Sequence, residues 1–491
     1  MPYPSLEEIK SYRDVNVIPV YKTAIADTET PVSAWMKLCR DAPYSFLFES
    51  VPRDGSYARY SFIGANPYMI FSVRDKKWTI TVGGERKDCG DGDPISALRK
   101  ILATYKQAAV KDIPRFCGGA VGYFSYDAVR VIKNIPDKNP KTENDDDDIF
   151  FGFYRDLIVF DNKKHQLLFI SNIILNDSNN NDRDDIDNQY KNALARIDAM
   201  EKTMETPIVS SRLSIKTSGE KSFNFGKEQF EAAVDKCKEY IKAGEISQVV
   251  LSRRGSVDVE ADPFDLYRSL RIVNPSPYMF YLSLDERQII GASPEMLVRV
   301  ENNIVENRPI AGTRRRGETA AEDERLIEEL KNDPKEINEH TMLLELGKNE
   351  LREVCEPDSV KVDNAMRIEK YSHVIHIVSD LSGKLRGGRD ALDALFACFP
   401  AGTLTGAPKV RAMEIIDELE PSRRGLYGGA LGYIDFSGNM DTCITIRTIF
   451  LKNGKAQIQS GAGIVAESIP EREYQETVEK ASALFAAIGA G

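Results

Sequence analysis

Hydrophobic positions follow two regimes along the chain. In the N-terminal third, runs such as Tyr60 to Phe71 and Gly152 to Ile170 are dense in Tyr, Phe, Ile and Val and are broken by Gly, Pro and Asn. That pattern predicts strands joined by turns. A polar interruption, Glu143 to Asp148, holds four consecutive aspartates and reads as a solvated loop. A second, Asn176 to Asn188, precedes a helix expected near Tyr190 to Lys202. Further on the period changes. Phe230, Val234, Cys237 and Ile241 recur at spacings of 4, 3 and 4, one face of a helix, and Gly244 stands where that helix should stop. Ser247 to Arg253 then reads as a strand, and no fixed-period repeat is present. Thr206 to Gly226 is rich in Ser and Thr and shows neither period. It is read as the connection between an N-terminal region, residues 1–210, and a C-terminal one, residues 211–491.

Two later helices each open on a Glu-x-x-Glu pair. In the first, Asp333 suits the N-cap, Pro334 the first helical position, and Glu336 the third, where a capping-box residue falls. The second is expected from about Pro470, with an apolar stripe of Tyr474, Val478, Ala481, Phe485 and Ile488. Residues three apart share a helical face, so Glu336 with Glu339, and Glu473 with Glu476, each present two carboxylates together. If the helices face each other, four carboxylates converge, an oxygen-rich setting that suits Mg2+. The plain alternative is that acidic residues favour helix N-termini through the dipole.

Pro309 to Arg314 and Gln459 to Ile464 each read as a strand running into a tight glycine turn, either an ordinary turn or a place where backbone N–H groups approach an anion. Gly402 to Lys409 lacks the spacing of a phosphate loop. Of four histidines, His373 and His376 lie in a β-prone run and should point to opposite faces of a strand, so a shared metal is not expected. Each is either a general base or an ordinary hydrogen-bonded histidine.

At 491 residues the chain is long enough for two to four domains or one large unit. Lys plus Arg is 65 against 76 Asp plus Glu, a net charge of −11, which disfavours nucleic acid and anionic membrane partners. No apolar run reaches the roughly 18 residues of a membrane span. Glu7 and Glu8 near the start argue against a secretory signal. Seven scattered cysteines without a C-x-x-C pair argue against a disulfide framework or zinc knuckle, so a reducing cytoplasm is expected.

Taken together, several ordered motifs over residues 225–488 resemble the chorismate-utilising enzymes: Ser293-Pro294-Glu295-Met296-Leu297, Pro309 to Arg314, Lys335 to His340, Thr403 to Lys409, Tyr427-Gly428-Gly429, Ile446-Arg447 and Gly461-Ala462-Gly463. Phe46 to Ser50 and Gly118 to Tyr123 extend the resemblance toward the N-terminus, and the whole length is similar to the large subunits of anthranilate synthases. The resemblance implies an α+β fold of two facing, mostly antiparallel sheets wrapped by helices, with the active site in a cleft. It implies amination of chorismate by ammonia followed by pyruvate loss, Mg2+ as cofactor, and a cytoplasmic first step of tryptophan synthesis under feedback inhibition. Ammonia would come from a glutamine amidotransferase subunit, since no glutaminase motif is present, and the assembly would be a heterotetramer.

Residue by residue, the resemblance makes Glu339 and Glu476 metal ligands backed by Glu336 and Glu473. It makes Glu295 the acid for the departing hydroxyl and His376 the group serving pyruvate elimination. Gly312, Thr313, Thr403, Tyr427, Arg447, Gly461, Ala462 and Gly463 would hold substrate. Ser50, Pro277, Tyr278 and Met279 would hold tryptophan, joining the N-terminal region to the catalytic one. Two positions separate relatives. Water-adding members carry lysine where Gln248 stands, and aminodeoxychorismate synthases typically carry lysine where Ala311 stands. Lys348 and Arg315 depart from the usual arginine and proline. The rival readings are an aminodeoxyisochorismate or aminodeoxychorismate synthase and, from another class, an inactive tryptophan-binding regulator.

Overall fold

The computed structural model describes residues 2–50, 59–140, 146–175, 185–208, 212–370 and 374–491. Two large antiparallel sheets organise them. The first runs from Val17–Ile25 through Gln166–Ile174, Asp156–Asp161, Tyr60–Ala65, Tyr44–Glu49, Tyr278–Leu284, Arg287–Ser293, Thr448–Lys452, Lys455–Ile464 and Gln248–Ala261 to Ile215–Phe223. The second runs from Ile310–Arg315 through Val374–Lys384, Ile304–Asn307, Met296–Glu301, Met440–Ile444, Ala430–Asp435, Gly119–Phe124, Ile149–Tyr154, Met69–Arg74 and Lys77–Val82 to Glu85–Gly90. The two sheets face each other. Phe46, Phe280 and Ile289 of the first pack into one core with Val121, Tyr123 and Leu431 of the second. With the helices around them, this is the expected α+β architecture.

Both sheets mix strands from either side of residue 210: Tyr44–Glu49 pairs with Tyr278–Leu284, and Gly119–Phe124 with Ala430–Asp435. The expected boundary itself lies outside the described residues, as does His373. The run Tyr60 to Phe71 divides into strands of different sheets. Asn66, at φ 54°, takes the left-handed conformation that Asn tolerates, and Pro67 follows it, so the chain leaves one sheet and enters the other.

The helices follow their sequence periods. Lys227–Lys242 buries Phe230, Val234 and Cys237, and Gly244 follows at φ 77°. Ile186–Met204 buries Tyr190, Ala193, Ile197, Met200 and Met204. Pro470–Ala487 differs in part: Ala481 and Phe485 are buried as expected, but so are Leu484 and Ala487, while Val478 stays 39% exposed. This helix packs on both the Lys455–Ile464 strand and the Lys227–Lys242 helix, so its buried face is rotated from the simple stripe.

The aspartate run also departs from the solvated-loop reading. Asp146 is bonded by Lys452 at 2.9 Å and lies 3.3 Å from Arg287, and Asp147 accepts from Arg287 at 3.1 Å. Cations arriving from distant strands account for burial that a local charge count does not anticipate.

Candidate active site

Two crossings between the sheets build the centre of the site. The chain passes from Arg287–Ser293 in the first sheet to Met296–Glu301 in the second through Pro294 and Glu295, and from Met440–Ile444 back to Thr448–Lys452 through Thr445, Ile446 and Arg447. The crossings are stitched together: Ile444 N donates to Glu295 O at 3.0 Å, Ala292 N to Arg447 O at 3.1 Å, and Ser293 Oγ to Ile444 O at 2.7 Å.

Glu295 is thereby fixed in a buried position. Burial pushes its carboxyl up to about 8, against the opposing pull of the Thr403 hydroxyl and the Lys480 charge. Thr403 Oγ1 donates to Glu295 Oε1 at 3.2 Å. At neutral pH the group is mostly protonated, the state a proton donor needs.

Arg447 sits at φ 52°, a left-handed conformation uncommon for a non-glycine residue. Its Nη1 donates to Lys480 O at 2.9 Å, and burial lowers its pKa against the influence of Tyr427 and Glu476. Burial raises the Tyr427 phenol well above its usual range.

The expectation of a glycine turn at Gly461-Ala462-Gly463 is not met. These residues lie inside the strand Lys455–Ile464, opposite Ser252, Leu251 and Val250. Alternation puts Gly461 and Gly463 on one face, and a Cβ at Gly461 would fall 2.8 Å from the Tyr427 hydroxyl. The glycines therefore make room rather than turn the chain. Gly312, in contrast, does take a special conformation, φ 70°, at a bulge in Ile310–Arg315. That bulge brings Gly312 O and Thr313 Oγ1 each to 3.1 Å from His376 Nδ1. The carbonyl can only accept, so Nδ1 carries the proton of that bond.

The starts of the two Glu-x-x-Glu helices, Pro334–Val354 and Pro470–Ala487, lie close enough for their charges to act on one another. Burial raises Glu339, and the charges of Glu336 and Glu476 raise it further; burial, with Glu476, also raises Glu473. Asp333 caps the first helix, accepting from Lys335 N and Glu336 N. Glu336 closes no capping box: its carboxylate accepts from Arg314 Nη1 at 3.0 Å. Lys480 Nζ lies 2.5 Å from Glu476 and donates to Gly461 O at 3.1 Å. The all-oxygen, mutually repelling set fits a hard divalent cation. Among the described residues, no three ligating side chains are drawn in closely enough to hold one.

Sequence reading missed two cations here. Lys480 stands four residues after Glu476, a spacing that pairs opposite charges on a helix and so could have been noticed. Arg314 ends the Pro309 to Arg314 motif, and nothing local there points to Asp333, Glu329 and Glu336 as its partners. Gln248, buried at the head of its strand, presents Nε2 3.0 Å from a Cβ built on Gly463, and Ala311 is buried opposite Ile377.

Ser50, Pro277, Tyr278 and Met279 meet in a separate cavity of about 70 Å³. Met279 pairs with Glu49 across the strands that carry them. Tyr278 OH and Arg299 Nε each donate to Asp441 at 3.0 Å within its wall. Met296 and Arg308 border both this cavity and the small one beside Glu295 and Thr403. A larger cavity, about 300 Å³, adjoins the site at Tyr427 and Thr445.

With this architecture and this arrangement of residues, the chain belongs to the chorismate binding enzyme family, whose model matches residues 44–486. Within the family it is similar to anthranilate synthase component 1 of Acetivibrio thermocellus, 46% identical over 99% of this chain and 98% of that protein. It is also similar to anthranilate synthase component 1 of Aquifex aeolicus, 43% identical over 99% and 97%. Among solved structures, anthranilate synthase component I from Streptococcus pneumoniae superposes with a TM-score of 0.74 at 34% identity, covering 94% of this chain and 98% of that one. The menaquinone-specific isochorismate synthase from Escherichia coli shares the fold, with a TM-score of 0.72 at 17% identity over 98% of each chain.

Proposed function

We propose that this chain catalyses the anthranilate synthase component 1 reaction: chorismate and ammonia give anthranilate, pyruvate and water. The observation that carries this reading is the buried Glu295 held by the Thr403 hydroxyl, ready to protonate the departing ring hydroxyl as ammonia adds. His376 then takes the ring proton while the enolpyruvyl ether bond breaks, the methylene carbon gains a proton, and pyruvate leaves. Arg447 and Tyr427, packed against the Gly461–Gly463 strand face, clamp the side-chain carboxylate, for which the planar guanidinium is suited. Gly312, Thr313 and Ala462 complete the substrate wall. Glu339 and Glu476 would hold Mg2+, backed by Glu336 and Glu473, and the ion would supply positive charge for the ring carboxylate. Gln248 offers no base for water and Ala311 no amine for covalent attack, which favours direct amination over the sister reactions.

The same reading assigns a partner glutamine amidotransferase subunit in a heterotetramer and a cytoplasmic setting. It assigns tryptophan to the cavity formed by Ser50, Pro277, Tyr278 and Met279. Among the described residues no helix is long and apolar enough to cross a membrane, and all seven cysteines are free.

The test is the pure chain with chorismate, ammonium and Mg2+, products read by anthranilate fluorescence and by mass. Anthranilate with equimolar pyruvate is expected, and glutamine should not replace ammonium without the partner. Isochorismate or a stable aminated intermediate as sole product would move the assignment to a sister enzyme. No turnover, with tryptophan still bound, would favour the regulator.

A further inference from the structure

Behind the substrate clamp lies an ion pair that no motif singled out. Arg424 and Glu420 are both almost fully buried, 2% and 3% exposed. Arg424 Nε lies 3.0 Å from Glu420 Oε2 and Nη2 2.6 Å from Oε1, a bidentate fork. The rest of the guanidinium is spent on backbone: Nη1 donates to Leu404 O at 2.6 Å and Nη2 to Val250 O at 2.7 Å. The charge also stands over the Tyr427 ring, 5.7 Å from its centroid. Glu420 Oε1 accepts in addition from Ser252 N and Oγ, each at 2.8 Å.

Each of these partners adjoins a different piece of the site. Leu404 follows Thr403, the partner of Glu295. Val250 and Ser252 are the cross-strand neighbours of Gly463 and Gly461. Tyr427 places its hydroxyl beside Gly461. These segments come from distant parts of the chain: the Lys455–Ile464 strand packs against the Gln248–Ala261 strand, the Gly402–Leu404 turn and Tyr427, and the ion pair adds a directed polar tie among them. A buried ion pair is costly to desolvate and a poor device for stability alone, since apolar replacements of similar volume often do as well. Its geometry here is better explained by registration.

We infer that the Arg424–Glu420 pair is the positioning element of the chorismate site, fixing the Thr403 loop, the Gly461–Gly463 strand and Tyr427 relative to one another without touching substrate. This rests on the chorismate reading above. Lysine cannot replace arginine in the role, because one ammonium cannot hold Glu420 bidentately and also reach both carbonyls.

The experiment compares Arg424→Lys and the paired, charge-free Glu420→Met/Arg424→Met with wild type, using the full chain with ammonium and Mg2+. Melting temperature and circular dichroism report folding. The expected result is folded protein in which the KM for chorismate rises about tenfold in Arg424→Lys and more in the double variant, while the KM for ammonium stays within twofold. The high-pH limb of kcat/KM should also move upward in pH, because a loosened Thr403 hydroxyl no longer favours ionised Glu295. A merely structural pair would change melting and leave that limb and the KM split unmoved. Folded variants with wild-type chorismate KM and pH limb would overturn the inference. If the double variant does not fold, Arg424→Lys, which keeps the charge pair, decides by the same criteria. A wild type inactive on chorismate refutes the proposed function instead, so the two failures are distinguishable.

Discussion

The Thr403 hydroxyl donates to Glu295 Oε1 across 108 residues of chain, and the acid it meets is buried at a crossing between two sheets. Two influences oppose each other there. Burial raises the carboxyl, the hydrogen bond lowers it, and burial wins, leaving it at about 8. The active form is the protonated one, so kcat/KM should fall as pH rises through that value. Thr403→Val removes the lowering influence and should move the limb to higher pH. Glu295→Gln should cost about 10²–10⁴ in kcat. Stability follows the same linkage. A folded pKa above the unfolded one contributes stability that is full below about 4.5 and is lost as pH rises through about 8. The melting temperature of Glu295→Gln should therefore gain on wild type across that interval. A pH-independent difference would mean that Glu295 does not titrate there.

The electrostatic coupling of Glu339 with Glu476 makes the metal prediction specific. Glu339→Gln and Glu476→Gln should each weaken Mg2+ binding, read by calorimetry, and nearly abolish turnover. Glu336→Gln should cost roughly 10–100-fold, as for residues that orient ligands. Unchanged Mg2+ affinity in both ligand variants would reduce the four glutamates to helix-terminal charges.

His376 Nδ1 is engaged by Gly312 O and Thr313, which fixes the ring beside the Gly312 bulge. His376→Met should spare amination more than elimination. Aminodeoxyisochorismate should accumulate and be visible by mass, with anthranilate slowed at least tenfold. Normal anthranilate formation with no intermediate would remove His376 from the elimination step.

Ser50 lies beside Pro277, Tyr278 and Met279 in a cavity of about 70 Å³. Tryptophan should inhibit the wild type, and Ser50→Phe should fill the space and relieve inhibition while sparing ammonia-dependent turnover. Inhibition curves for the two proteins decide this. A wild type unaffected by millimolar tryptophan would take the effector site away and point to an enzyme outside tryptophan synthesis.

Local order was already decided in the amino-acid sequence. The spacing of Phe230, Val234, Cys237 and Ile241 set a helix face, Asp333 and Pro334 set a helix start, and the Glu-x-x-Glu pairs put two carboxylates on one side of each helix. Those are properties of neighbours within a few residues, which backbone geometry brings together whatever the rest of the chain does. The motif resemblance added Glu295, His376 and Arg447 to the candidates without their surroundings. Only tertiary structure decided that Glu339 would feel the charge of Glu476, and that Asp146 and Asp147 would be paired with Lys452 and Arg287 rather than solvated. It alone turned Gly461–Gly463 into a strand face, and tied Leu404, Val250 and Ser252 to one buried ion pair. A hydrophobic period says that a face is covered, not by what. Which partner covers it depends on the packing of all the strands at once, and here each sheet is assembled from both halves of the chain.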